Sequence, residues 1–112
     1  MTSYLYLFRG GETGNQLSPD QMQAHMQKWG AWIGSLSQSG KYKGGDPLEA
    51  GGKTLSGQSR TLTDGPFAEA KDVIGGYLLV TAENEGEAIE LARGCPIFET
   101  GGAVEVRTIR PM

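Results

Sequence analysis

The apolar residues of the chain repeat with a strand-like period in some segments and a helix-like period in others. Residues 4–8 are apolar without interruption, which is typical of a central strand covered on both faces. Residues 73–81 form a second apolar run that contains Gly75 and Gly76, and residues 104–108 alternate between apolar and polar. We predict three strands here, and the two glycines predict a bulge or a close backbone approach within the second.

Two helices are predicted from their start and stop signals. Residues 18–21, Ser-Pro-Asp-Gln, match a capping box with proline at the first helical position, and Gly40 ends that helix. Residues 84–87 form a second capping box, and the helix that follows ends at Gly94. The first helix carries one apolar stripe at alternating spacings of four and three, made of Met22, Met26, Trp29, Ile33 and Leu36.

The middle of the chain is poor in large apolar residues. A strand is predicted to start at residues 41–43 and to break at residues 44–47, Gly-Gly-Asp-Pro. Residues 48–63 are rich in Gly, Ser and Thr and predict an exposed hairpin that turns at Gly51-Gly52 and again near Gly57. The order strand, helix, strand, hairpin, strand, helix, strand predicts an α+β fold of the split βαβ type, with two helices on one face of an antiparallel sheet.

The second face of this sheet has no predicted element to cover it. We assign to it five residues that are too apolar to leave in water, and a second copy of the chain is the expected cover. The chain is therefore predicted to form a homodimer. The assigned residues are Tyr4, Tyr6, Leu78, Val80 and Val104.

Composition narrows the function without naming it. The 112 residues are the size of one domain, which we take to span residues 1–112. Ten basic and thirteen acidic residues give a net charge of −3, and their scatter argues against nucleic acid or a membrane surface as partner. The apolar run near the N-terminus is too short for a signal peptide, so a cytoplasmic location is expected. One cysteine, Cys95, and one histidine make a metal site unexpected, and no cofactor is expected.

The run Thr-Asp-Gly-Pro-Phe-Ala-Glu-Ala-Lys at residues 63–71, followed by Ile-Gly-Gly-Tyr at 74–77, resembles the signature of the DGPF-domain branch of the YCII-related proteins. Residues 18–19, 44–48 and 104–107 are similar to the same family, so the resemblance covers nearly the whole chain. It implies a ferredoxin-like fold that dimerises as an α/β barrel. It also implies either enzymatic chemistry around a histidine and aspartate pair or an accessory role beside extracytoplasmic-function sigma factors.

His25 is the single histidine of the chain and lies roughly 60° from the centre of the apolar stripe on the first helix. One interpretation is a boundary histidine whose ring packs against Trp32. The other is a general acid or base, since histidine is the side chain best suited to proton transfer near neutral pH. The resemblance supports the second interpretation, because the proposed catalytic histidine of the YCII-type proteins also lies in the first helix.

The signature loop supplies the other candidates. Asp64 is either a turn cap or a ligand contact, Phe67 either fills the core or lines a pocket, and Lys71 is the better anion binder of the loop. Asp46 is a turn former or a second carboxylate. We hypothesise a pocket in which His25 transfers a proton, Asp64 orients it, Phe67 borders it and Lys71 holds an anionic group. The chain is then a small-molecule-binding domain or a cofactor-free acid/base enzyme. The alternative is a non-enzymatic regulatory or interaction module associated with sigma-factor signalling. The sequence alone does not say whether the protein is an enzyme.

Overall fold

The computed structural model describes residues 1–11, 17–65 and 72–112. Within these ranges the strands β2, β5, β1 and β6 form one antiparallel sheet in that order, and β3 pairs with β4 in a separate hairpin. This arrangement confirms the α+β, ferredoxin-like fold with an inserted hairpin. The elements in chain order are β1 (Thr2–Arg9), α1 (Pro19–Gln38), β2 (Tyr42–Pro47), β3 (Lys53–Ser56), β4 (Thr61–Asp64), β5 (Ile74–Ala82), α2 (Glu85–Ala92), a 3-10 helix (Pro96–Thr100) and β6 (Ala103–Thr108).

The start of α1 is fixed by the predicted capping box. The Gln21 backbone N–H donates to the Ser18 hydroxyl at 3.1 Å, and the Ser18 N–H donates to the Gln21 side-chain oxygen at 2.9 Å. Two of the otherwise unpaired groups at the helix start are thereby satisfied. Gly40, with φ of 76°, follows the helix in the left-handed conformation that favours glycine.

The helices cover the sheet face that carries the aromatic residues of β1. Tyr6 is fully buried, its ring stacks on Trp32 with centroids 6.2 Å apart, and its hydroxyl donates to the Ala88 carbonyl. This burial raises the pKa of Tyr6 to about 12, so the phenol stays protonated. Tyr4 is buried with it.

The assignment of residues to the uncovered face was wrong. Leu78 and Val80 are buried on the helix side, where β5 pairs them with Tyr6 and Tyr4, and Val104 of β6 pairs with Phe8 on that side too. The face that no described element covers instead carries half-buried residues of the opposite phase. Alternate residues of a strand point to opposite faces of the sheet, and residues 4–8 are all apolar. The sequence of β1 therefore could not show which of its residues face the helices. The apolar residues of the uncovered face, hereafter the open face, are Leu5, Leu7, Tyr77 and Leu79.

The two glycines of β5 produce the predicted bulge. Phe8 pairs with Gly76 and Arg9 pairs with Ile74, so Gly75 is an extra residue in the β1–β5 ladder. The bulge lies at the end of the sheet where β1 ends and β5 begins. It shapes the wall of the cavity described below.

Strand β2 does not break at residues 44–47 as predicted. It continues to Pro47, with an irregularity in its pairing to β5 between Tyr42 and Gly44. The hairpin follows, and Leu55 and Leu62 face each other across it with 67% and 61% of their surface exposed. The predicted exposed hairpin is therefore present.

Candidate functional site

A cavity of about 390 Å³ lies between α1 and the end of the sheet at which β1 and β2 end and β5 begins. Its volume falls in the range of small-molecule sites. Helix α1 supplies the wall opposite the sheet, and the sheet side includes Gly45 and Gly76. The α1 residues that line the cavity are Met22, His25, Met26, Trp29 and Ile33.

His25 is held by the indole of Trp29. The Trp29 Nε1–H donates to His25 Nε2 at 3.0 Å, and the two rings meet edge to face with centroids 6.3 Å apart. The predicted packing of His25 on Trp32 is absent from these contacts: Trp32 donates its own N–H to the Leu91 carbonyl instead. Residues four apart on a helix lie on adjacent turns of one face, which explains why position 29 is the partner.

Asp46 is the acidic residue in the described lining of the cavity, but β2 pairs it with Tyr77, so its carboxylate lies on the open-face side of the sheet and not beside His25. It lies in β2 and accepts a 2.8 Å hydrogen bond from the Tyr77 hydroxyl of the adjacent strand. This hydrogen bond and the nearby negative charge raise the pKa of Tyr77 above its ordinary value. Asp46 is therefore part of a strand and of the cavity wall rather than a loop turn.

Asp64 lies at the end of β4, away from the described lining of the cavity. It forms an ion pair with Lys53, the residue opposite it in the hairpin, and its side chain is 89% exposed. Phe67 and Lys71 lie outside the described residues. In the part of the chain that the structure describes, Asp64 does not lie in the cavity wall with His25, and the roles given to Asp64, Phe67 and Lys71 stay predictions.

The sequence reasoning missed the cavity-lining role of the α1 stripe. Of the stripe, Leu36 alone is fully buried, whereas Met22, Met26, Trp29 and Ile33 line the cavity and Met26 is 58% exposed there. The spacing of four between His25 and Trp29 was the available signal for their contact.

The described residues contain no cluster of three or more His, Cys, Asp or Glu side chains placed to hold a metal ion. Cys95 is buried, and that burial raises the pKa of its thiol to about 12, which leaves it unreactive at neutral pH. No helix of residues 1–11, 17–65 or 72–112 is long and apolar enough to cross a membrane.

The model of the YCII-related domain matches residues 4–112. The chain belongs to the YCII-related domain family. Among solved structures, its fold is similar to 5-chloro-2-hydroxyhydroquinone dehydrochlorinase TftG from Burkholderia phenoliruptrix in complex with 2,5-dihydroxybenzoquinone. The two chains are 23% identical with a TM-score of 0.51, and the match covers 98% of this chain and 95% of that one. A search of curated proteins found no match for the chain.

Proposed function

We propose that this YCII-related protein binds a small aromatic or quinone-like molecule in the cavity beneath α1 and acts on it by cofactor-free acid/base chemistry at His25. The observation that carries the proposal is the position of the chain's single imidazole in the wall of a 390 Å³ cavity, held there by Trp29. A ring-shaped ligand suits walls made largely of Met, Trp, Phe and Ile side chains.

The similarity to TftG supports the same class of ligand. That protein is named as a dehydrochlorinase of a chlorinated hydroxyhydroquinone and was solved with a benzoquinone. We also assign the present chain to the DGPF branch of the family, on the Asp-Gly-Pro-Phe signature at residues 64–67.

We retain Asp64, Phe67 and Lys71 as the loop side of the proposed site. Residues 66–71 precede β5, whose first glycines line the cavity, so Lys71 and Phe67 are four and eight residues from Gly75 along the chain. For Asp64 to orient His25, it would have to leave Lys53. That ion pair is exposed, and exposed ion pairs contribute only about 0–1 kcal/mol, so the exchange costs little.

The proposal is tested by adding 2,5-dihydroxybenzoquinone to ¹⁵N-labelled protein and following the two tryptophan indole N–H signals. Trp29 lines the cavity and should shift with saturation, whereas Trp32, which is buried and bonded to Leu91, should move little. Trp32 thus serves as the internal control. If neither signal moves at millimolar quinone, this ligand class is wrong.

Two matched variants separate a role of His25 from a general effect on α1. We expect His25→Leu to weaken quinone binding roughly fivefold or more, because a hydrogen bond to the ligand is lost. Gln27→Leu makes a similar polar-to-apolar change on an exposed position of α1 outside the cavity and should leave the dissociation constant unchanged. Equal affinities for all three proteins would remove His25 from the site.

A regulatory or interaction module is the competing function. The exposed Leu55 and Leu62 pair and the apolar open face favour it, because such surfaces usually meet a partner. We propose that the partner of the open face is a second copy of the chain. This self-association is compatible with either function, and ligand binding discriminates between them.

A further inference from the structure

We infer that Trp29 is a positioning residue that fixes the neutral tautomer of His25 with its proton on Nδ1, so that His25 meets a ligand as a hydrogen-bond donor. The tautomer is a property of the ligand-free protein. The donor role of His25 toward a ligand rests on the proposed function, and it specifies that role as hydrogen-bond donation to an acceptor oxygen of the ligand.

The hydrogen-bonding capacity of the two rings determines the tautomer. An indole N–H only donates, and a neutral imidazole has one nitrogen that donates and one that accepts. His25 Nε2 accepts from Trp29 at 3.0 Å, so the ring proton must be on Nδ1. In the doubly protonated ring, Nε2–H would face the indole N–H donor to donor, and this hydrogen bond would be lost.

Trp29 is itself held in place. Its ring meets Phe8 edge to face at 5.1 Å and Trp32 at 5.8 Å, and Trp32 is tied to the Leu91 carbonyl. The aromatic contacts join α1 to β1 beside the cavity. The indole N–H is therefore preorganised toward His25 before any ligand binds.

The fixed tautomer selects a chemical class of ligand. With Nε2 occupied, Nδ1–H is the ring group left for the cavity, and it stabilises an oxygen that carries or gains negative charge, such as a quinone carbonyl or a phenolate. A neutral imidazole acting as an electrophilic donor is an established catalytic pattern. A ligand group that only donates hydrogen bonds cannot form a hydrogen bond with the Nδ1–H of His25.

The tautomer is measured in the free protein by long-range ¹H–¹⁵N correlation of the histidine ring at a pH where it is neutral, and the single histidine makes the assignment direct. We expect a protonated Nδ1 and an unprotonated Nε2. Trp29→Phe keeps a ring against Phe8 but removes the indole N–H, and it should shift the population toward Nε2–H. A wild-type ring protonated mainly on Nε2, or a folded Trp29→Phe protein with an unchanged tautomer, would overturn the inference.

The donor role is tested with acetophenone and α-methylstyrene, which have similar shapes but differ in the acceptor oxygen. His25→Leu should weaken acetophenone binding roughly fivefold and leave α-methylstyrene binding unchanged or tighter. Equal losses for the two probes would overturn the donor role. Failure of both probes to bind wild-type protein would count against the proposed function, whereas the tautomer measurement decides the role of Trp29 by itself.

Discussion

Glycine at position 45 allows β2 to lie against β5 beside the cavity. A Cβ atom there would come within 2.5 Å of the Tyr77 carbonyl oxygen and 2.7 Å of a Leu78 methyl group. The preceding residue, Gly44, has φ of 144°, a conformation that other residues rarely adopt. The glycines that suggested a break in the strand thus maintain its close pairing instead.

This close approach predicts opposite effects of two glycine-to-alanine substitutions. Gly45→Ala should lower the free energy of unfolding by about 1–3 kcal/mol, because backbone atoms of β5 must move. Gly30→Ala, in α1 with no atom within 4 Å of the new methyl group, should raise it by about 0.5–1 kcal/mol. Urea denaturation measures both. Wild-type stability in the Gly45→Ala protein would mean that β2 is not held in this position.

At the scale of the elements, α1 has two functions along its length. Trp32 and Leu36 close the core, and residues on the turns from Met22 to Ile33 wall the cavity. The period of the apolar stripe predicted the helix and the face that it turns to the sheet. It could not predict the cavity, because the cavity depends on the small residues opposite, on β2 and β5.

The hairpin of β3 and β4 projects from the sheet with few attachments in the described chain. The Gly65 N–H donates to the Gly52 carbonyl at 2.7 Å, and the Thr54 hydroxyl donates to the Gly65 carbonyl at 2.8 Å. Both bonds lie within the hairpin and its base. Neither strand makes more than a few contacts with the main sheet or the helices.

We therefore expect backbone amides of β3 and β4 to exchange with deuterium through local opening, well before those of β5 around Leu78. Strand β5 is paired on both sides and contains the buried residues Leu78 and Val80, so its amides should exchange only on global unfolding. Amide exchange followed by NMR compares the two. Equal protection would indicate that the hairpin is docked on another surface, for example that of a second copy.

At the scale of the whole molecule, the order of the elements and their α+β class could be predicted from hydrophobic period, capping boxes and turn residues. The composition of the site could not. Sheet order places β2 beside β5, and this brings Gly45 and Asp46 to the sheet wall of the cavity that His25 lines from α1. Asp64, which the signature loop suggested, is paired within the hairpin. Such pairings depend on topology, which a motif does not contain.

The open face is the surface on which the molecule is expected to self-associate. Its apolar centre is bordered by Arg9, which lies 3.2 Å from Glu105, and by Arg107. Arg9 Nε and Thr81 Oγ1 are buried without a hydrogen-bond partner among the described residues. Buried polar atoms are normally satisfied, and these two are exceptions on the open-face side of the described sheet.

Light scattering on the purified protein should give a molar mass twice the 12.0 kDa of one chain. Leu79→Lys places a charge at the centre of the open face and should produce a folded monomer, because an unpaired charge is costly to bury in an interface. Ile89→Lys is the matched control on α2, which lies on the opposite side of the sheet, and should leave the mass unchanged. A folded wild-type protein of 12.0 kDa would refute the dimer, and a dimeric Leu79→Lys protein would place its interface on a surface other than the open face.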